Sequence, residues 1–226
     1  MELLIFGRGG PRVLVFPSRE QRFFEYEDRG MVHSLRKRLE EGDLQVYCVD
    51  GIDDESLYCF SKSPEERLAR QLQYERYIIE EVIPFSEKLN PAPLTSHGCS
   101  LGAYHAVTMA VRNPQYFKRV VAFSGRYDLT LATGEFHSLF YGFEDDATLR
   151  GIMPSLFVPE LPVGPQLRKI RRLRFKFVVG DEDPFCANNE ELAAAFEKQK
   201  IPHELHLWCG NAHRFRYWRQ MARVYL

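Results

Sequence analysis

Paired cysteines and a long apolar run are both missing from this sequence. Its five cysteines are odd in number, widely spread and without a C-x-x-C pair, which argues against a disulfide framework and a structural zinc. No apolar stretch approaches the roughly 20 residues that cross a membrane. The opening MELLIFGRGG also lacks the apolar core and cleavage site of a signal peptide. The sequence therefore predicts a cytoplasmic protein with reduced cysteines and no membrane partner.

An excess of charge of either sign is also lacking, because 30 Lys and Arg face 31 Asp and Glu. Such a chain has no general attraction for nucleic acid or anionic lipid. We interpret the basic run at 168–176 as a solvated connector rather than a nucleic-acid surface. The acidic residues at 50–55 do not match the spacing of an EF-hand loop. We expect a small-molecule substrate, no metal and no cofactor.

Short apolar runs alternate with longer amphipathic segments over the 226 residues. This alternation is typical of an α/β fold, a mostly parallel sheet with helices on both faces, and the length suits one domain over 1–226. The clearest helix begins at the capping box of Ser63 and is predicted to end at Pro84. Residues 135–167 have no steady period and are a candidate lid or substrate wall. Strands are predicted at 2–6, 12–16, 44–49, 119–123, 174–180 and 203–208, the first two as a hairpin.

The stretch Gly98-Cys99-Ser100-Leu101-Gly102 fits G-x-S-x-G, in which a strand turns sharply into a helix. Small residues on either side let the two backbones pass closely, so the central side chain projects at the carboxyl end of the sheet. Here that side chain is Ser100, the candidate nucleophile. Cys99 would point away from the mouth of the site, and we interpret it as a packing residue.

A serine hydroxyl is a poor nucleophile unless a histidine takes its proton and an acid orients that histidine. An acidic loop follows the strand at 174–180, and His213 lies in a loop after the next strand. We choose Asp183 as the acid because the chain must bend after Gly180 before an acid can reach the histidine. Asp181 is the alternative, and we expect Glu182 to face solvent. The chain order serine, aspartate, histidine is the one that this fold uses.

The other histidines are expected to be structural. His97 belongs to the strand before the serine, His105 lies well inside the following helix, and His203 and His206 lie in a strand.

An oxyanion hole needs backbone N–H donors beside the nucleophile. One donor is expected at Leu101, the residue after the serine, and the second in the loop after the strand at 12–16. Pro17 has no N–H group, so Ser18 or Arg19 is left to supply it.

These residues resemble those of the Putative esterase family of α/β-hydrolases, the group of esterase D and the mycobacterial mycolyltransferase antigens. Besides GCSLG, the resemblance includes DESLY, similar to the family's Ser-Trp-Tyr loop, the helix YERYIIEEVIP, the strand VAFSG and the loops of Asp183 and His213. The motifs VLVFPS and EYED are similar to those of a compact bacterial subgroup described as esterase-like. The resemblance implies the α/β-hydrolase fold and a serine nucleophile with its histidine and aspartate.

Some positions depart from the family pattern. Arg214 and Phe215 follow His213 where the family often has Asp and Trp, and Leu57 replaces a tryptophan. The shorter amino end suggests fewer early antiparallel strands and an open sheet edge, at which a homo-oligomer could form.

The function predicted from the sequence is a serine-dependent carboxylic-ester hydrolase that forms an acyl-enzyme on Ser100, His213 and Asp183. Acyl transfer or thioester cleavage on the same three residues is an alternative. A non-catalytic binding protein that keeps the fold is another, from a different class.

Overall fold

A computed structural model describes all residues, Met1–Leu226. One seven-stranded sheet has the order β1-β3-β2-β4-β5-β6-β7, and every neighbouring pair is parallel except β1 with β3. The strands are β1 Leu3–Phe6, β2 Arg12–Phe16, β3 Gln45–Val49, β4 Leu94–Cys99, β5 Arg119–Phe123, β6 Arg174–Gly180 and β7 His203–Trp208.

Helices connect the strands and cover both faces of the sheet. The helices are α1 Glu25–Asp28, α2 Met31–Ser34, α3 Arg36–Glu41, α4 Pro64–Tyr77, α5 Ile83–Leu89, α6 Leu101–Arg112, α7 Ala147–Arg150, α8 Pro154–Phe157, α9 Pro165–Ile170, α10 Cys186–Lys198 and α11 Phe215–Tyr225. A π-helical turn, Ile78–Val82, joins α4 to α5, and a 3-10 turn, Val158–Glu160, follows α8. None of these helices is long and apolar enough to cross a membrane.

Alternate residues of each central strand enter different parts of the core. Leu14 and Phe16 pack in the larger cluster, with α4, α6 and α10, while Val13 and Val15 pack on the other face with α1 to α3 and α11. This alternation follows from the period of two in a strand. A third cluster lies outside the sheet, where residues of the 135–167 stretch pack on Tyr104 of α6.

The predicted hairpin of the first two strands is wrong. β1 and β2 do not pair, because β3 lies between them and bonds to both. All five residues of β2 are buried, whereas β1 is only partly so. A strand that is apolar on both faces belongs inside the sheet with a neighbour on each side, and the half-exposed β1 takes the edge.

The predicted end of the long helix at Pro84 is also wrong. The chain stays helical through Pro84 as far as Leu89. A proline inside a helix removes one N–H and pushes against the preceding turn. The wider π-helical turn immediately before it accommodates both effects, so the helix continues.

Candidate active site

The nucleophile candidate lies at the turn between β4 and α6. Ser100 has φ 55° and ψ −120°, a backbone conformation that is costly for any residue other than glycine and persists only where the surroundings impose it. A Cβ on Gly98 would lie 2.2 Å from the backbone of Gly102, and one on Gly102 would lie 2.3 Å from the carbonyl oxygen of Phe16. The strand, the helix and β2 therefore meet here without room for side chains.

Three predicted residues come together at this turn. Ser100 Oγ lies 3.0 Å from His213 Nε2, and His213 Nδ1 lies 3.1 Å from each carboxylate oxygen of Asp183. His213 comes from the loop after β7, and Asp183 comes from the loop after β6. Ser100 lines the open cavity, whereas the side chain of Asp183 is fully buried and does not line it.

The carboxyl of Asp183 is held in its charged form. Burial raises its pKa, but the hydrogen bond and charge of His213, together with the backbone N–H of Phe185, outweigh burial, and the net pKa lies below the ordinary value. Its charge favours the tautomer of His213 that has a proton on Nδ1 and leaves Nε2 free to accept one.

The two competing acids lie elsewhere. Asp181 accepts the backbone N–H of Gly210 at 2.6 Å and so fixes the start of the histidine loop. Glu182 is exposed and makes no side-chain hydrogen bond or ion pair.

The other groups near the serine are buried and have structural partners. Cys99 is 4% exposed, and burial raises the pKa of its thiol well above the ordinary value, so a reactive thiolate is disfavoured. His97 lies between the hydroxyl of Tyr26 and the carbonyl of Val121, at 3.0 and 2.7 Å. His105 lies 3.2 Å from the carboxylate of Asp53.

The loop after β2 brings two candidate N–H donors, those of Ser18 and Arg19, to the cavity that Ser100 lines. The Ser18 N–H donates to Glu25 Oε2 at 2.8 Å, and the Ser18 hydroxyl also donates to the Glu25 carboxylate. The Ser18 N–H is thus already engaged. The N–H groups of Arg19 and Leu101 donate to no acceptor in the chain.

Buried polar residues that the sequence analysis missed hold this loop in place. Burial raises the pKa of the Glu25 carboxyl, and its hydrogen bonds to Ser18 oppose that rise. The carboxylate of Asp53 accepts the backbone N–H of Glu20 at 3.0 Å and also contacts His105 of α6. The motif EYED contains Glu25, but nothing local in the sequence shows which group that carboxylate would hold.

A cavity of about 380 Å³ opens above Ser100. The residues that line it follow the carboxyl ends of the parallel strands, as expected for an open α/β sheet. Of the candidate lid or wall at 135–167, only Phe136 reaches the cavity. The lining residues are Ser18, Arg19, Arg29, Tyr58, Ser100, Leu101, Arg126, Phe136, Phe185, His213, Arg214, Phe215 and Trp218. No group of three or more His, Cys, Asp or Glu side chains is placed to hold a metal ion anywhere in the chain.

Comparison with known proteins identifies the family. The family described as Putative esterase matches residues 31–222. The chain belongs to the Putative esterase family. This membership makes it an enzyme of the esterase class, which hydrolyses carboxylic esters. No curated protein matches it significantly.

Solved structures share the fold of this family member. An S-formylglutathione hydrolase from Agrobacterium tumefaciens is 16% identical with a TM-score of 0.73, covering 98% of this chain and 86% of that one. A ferulic acid esterase is also 16% identical, with a TM-score of 0.71, covering 97% and 84%. A fluorophosphonate-binding serine hydrolase of Staphylococcus aureus is 15% identical, with a TM-score of 0.63, covering 96% and 82%. These likenesses establish the α/β-hydrolase fold, as the sequence predicted.

Proposed function

We propose that the chain hydrolyses carboxylic esters through an acyl-enzyme on Ser100, with His213 as the base and Asp183 as the residue that orients it. The observation that carries this proposal is the continuous chain of contacts from Ser100 Oγ to His213 to Asp183, at 3.0 and 3.1 Å. Three residues distant in sequence meet with the spacing that proton transfer requires.

In the first half of the reaction Ser100 Oγ attacks the ester carbonyl carbon while its proton passes to His213 Nε2. The carbonyl π electrons move onto the oxygen, which becomes an oxyanion. When the C–O bond to the alcohol breaks, His213 returns the proton to the departing alkoxide, and an acyl-serine remains. Asp183 stabilises the transient imidazolium by its charge and does not need to accept the proton.

In the second half a water molecule takes the place of the alcohol. His213 accepts one of its protons as it attacks the acyl carbon, and a second tetrahedral oxyanion forms. Collapse breaks the bond to Ser100 Oγ, which recovers its proton from His213, and a carboxylic acid is released.

We further propose that the N–H groups of Arg19 and Leu101 bind the oxyanion in both halves. Both lack an acceptor within the chain, Leu101 directly follows the serine, and Arg19 lines the same cavity. The Ser18 N–H already donates to Glu25, which supports Arg19 rather than Ser18 as the second donor. Leu101 also begins α6, whose amino end favours negative charge.

Covalent labelling tests the nucleophile. A fluorophosphonate probe should label the folded protein on the peptide that contains Ser100, and short p-nitrophenyl esters should be hydrolysed. Ser100→Ala should abolish both. Cys99→Ala is the matched control, because Cys99 faces the core, and it should still be labelled. A Ser100 that stays unlabelled in folded protein without ester turnover would refute the proposal.

A further inference from the structure

The cavity above Ser100 has an unusual charge. Four arginines line it, and no aspartate or glutamate does. The whole chain has a formal charge of only −1, so the cavity is a local concentration of positive charge on a neutral protein. The four come from separate segments, since Arg19 follows β2, Arg29 follows α1, Arg126 follows β5 and Arg214 follows His213.

Among the four arginines, Arg126 provides the strongest evidence for an anionic ligand. Its side chain is 3% exposed, yet it forms no ion pair. Its hydrogen bonds come from Nε and Nη2 and go to backbone carbonyls, those of Asp128, Leu129, Leu131 and His137. Burial lowers its pKa, which reflects the cost of placing a charge here. Carbonyl dipoles hold the guanidinium in place but do not neutralise it, and a buried charge is normally paired.

Two more arginines at the rim have no acidic partner. Arg29 and Arg214 are exposed, and neither side chain forms a hydrogen bond or an ion pair within the chain. Arg19 is the exception in the cavity, with an exposed contact of 3.7 Å to Glu20.

Aromatic rings hold three of the guanidinium groups at the cavity wall. Arg126 lies over Phe185 and Arg29 over Phe215, with centroid distances of 5.8 and 5.4 Å. Arg19 lies 5.8 Å from the ring of Tyr58 and 5.7 Å from that of Phe136. A guanidinium stacked on a ring keeps its edge free, and that edge can donate two parallel hydrogen bonds to a carboxylate.

The acids nearest to the serine cannot offset this charge. Asp183 contacts His213, whose imidazolium it would balance during the reaction. Glu25 accepts both hydrogen bonds of Ser18 and does not line the cavity.

Asp128 is close enough to Arg126 to act on its charge, but its Oδ1 accepts the N–H and the hydroxyl of Thr130 and it forms no ion pair with the guanidinium. The cavity therefore keeps positive charge that a ligand can bind.

We propose that the substrate is an ester that itself carries a carboxylate, which these arginines bind while Ser100 attacks the ester group. The inference rests on the esterase function proposed above and names the substrate class of that same site. The aromatic wall holds the apolar part of the substrate, and the cavity of about 380 Å³ suits a small molecule.

Matched ester pairs test the proposal. One pair is 4-acetoxybenzoate and its methyl ester, which differ by a charge on the alcohol side. The other is mono-4-nitrophenyl adipate and its methyl ester, which differ by a charge on the acyl side. In at least one pair the anionic member should have a kcat/KM about tenfold or more above that of its neutral partner, as charge-assisted hydrogen bonds allow. The ratio should fall as NaCl rises from about 0.05 to 0.5 M, since rim charges are screened.

Substitutions assign the preference to the arginines. Arg214→Gln and Arg29→Gln should each reduce the ratio several-fold, because each lowers kcat/KM on the anionic ester more than on the neutral one. Arg216→Gln is the matched control, because Arg216 is exposed on α11 beside Tyr217 and does not line the cavity. It should keep the full ratio. Arg126→Met should reduce the ratio most, and the rim variants keep the test decisive if that protein does not fold.

The results separate this inference from the esterase proposal. Equal or slower turnover of the anionic ester in both pairs, with the neutral esters hydrolysed and Ser100 labelled, would overturn the inference alone. Loss of the ratio in Arg216→Gln to the same extent as in Arg214→Gln would also overturn it. If no ester is turned over and Ser100 is not labelled, both proposals are wrong.

Discussion

Asp181 and Asp183 lie in one loop but accept hydrogen bonds from different groups. Asp183 contacts Nδ1 of His213, whereas Asp181 accepts the backbone N–H of Gly210. Asparagine has the same shape as aspartate but no charge, and an amide beside Nδ1 favours the wrong tautomer of histidine. Asp183→Asn should lower kcat by about a thousandfold or more.

Asp181→Asn is the matched control for that measurement. An amide oxygen can still accept the Gly210 N–H, so kcat on a p-nitrophenyl ester should stay within a few-fold of the wild type. Near wild-type activity of Asp183→Asn, or an equal loss in both variants, would contradict the assignment of Asp183.

At this scale the sequence predicted residues with a strong local pattern and missed those without one. Ser100 has a motif, and Asp183 and His213 each follow an apolar strand in the expected order. Glu25 and Arg126 have no such signal, because only the fold brings near them the backbone groups that they contact. The same is true of the choice between Ser18 and Arg19 as a donor, which depends on the Glu25 contact.

The turn between β4 and α6 depends on the absence of a side chain. Because a Cβ on Gly98 would lie 2.2 Å from the backbone of Gly102, Gly98→Ala must displace a buried strand or helix. We expect its free energy of unfolding in urea to fall by about 1–3 kcal/mol or more, as overpacked cores do. Activity should fall further, since the Ser100 backbone moves with the turn.

Gly9→Ala provides the comparison, because a Cβ there meets no atom within 4 Å. Its urea midpoint should stay close to that of the wild type. Wild-type stability in Gly98→Ala would show that the turn can relax without cost.

The strand β4 also contains an ionisable group in its interior. His97 is fully buried, and burial lowers the pKa of its imidazole to about 4. The carbonyl of Val121 can only accept, so Nδ1 has the proton and Nε2 accepts from Tyr26. A second proton on Nε2 would break that bond.

The unfolded chain has an ordinary histidine that takes up a proton below about pH 6.5. Between that pH and about 4 the unfolded state binds more protons at this site, so its contribution to stability decreases as pH falls, by about 1.4 kcal/mol per pH unit. Urea unfolding from pH 7 to 4.5 should show this decrease in the wild type and a shallower one in His97→Gln. Comparing the two removes the contributions of Glu25 and Asp183. Parallel curves would mean that His97 is not the source.

Errors in the predicted elements come from features that the local spacing of apolar residues does not show. The hairpin of the first two strands looked favourable from its glycines and proline, but pairing was decided by the burial of β2, which needed a neighbour on each side. The continuation of the helix past Pro84 depended on a π-helical turn that hydrophobic spacing does not reveal. The predictions of strands with strong apolar runs, such as β5 and β6, are correct, because the apolar residues that become buried are consecutive in the sequence.

At the scale of the whole molecule, the 135–167 stretch decides whether the chain is one folding unit. Phe140 and Leu149 are buried against Tyr104 of α6, in the cluster that also includes Leu101. The side chain of Gln199 donates to carbonyls at the end of this stretch, including that of Val158 at 3.0 Å. The stretch therefore packs on α6, the helix that begins directly after Ser100, and is tied to the end of α10.

A stretch held in this way should not unfold by itself, since losing it would expose one face of α6 and the buried guanidinium of Arg126. We expect urea transitions followed by tryptophan fluorescence and by far-ultraviolet circular dichroism to coincide. Hydrogen exchange of peptides within 139–157 should give a free energy of opening close to the global value. Fast exchange there beside a protected sheet would instead make the stretch an independently mobile unit.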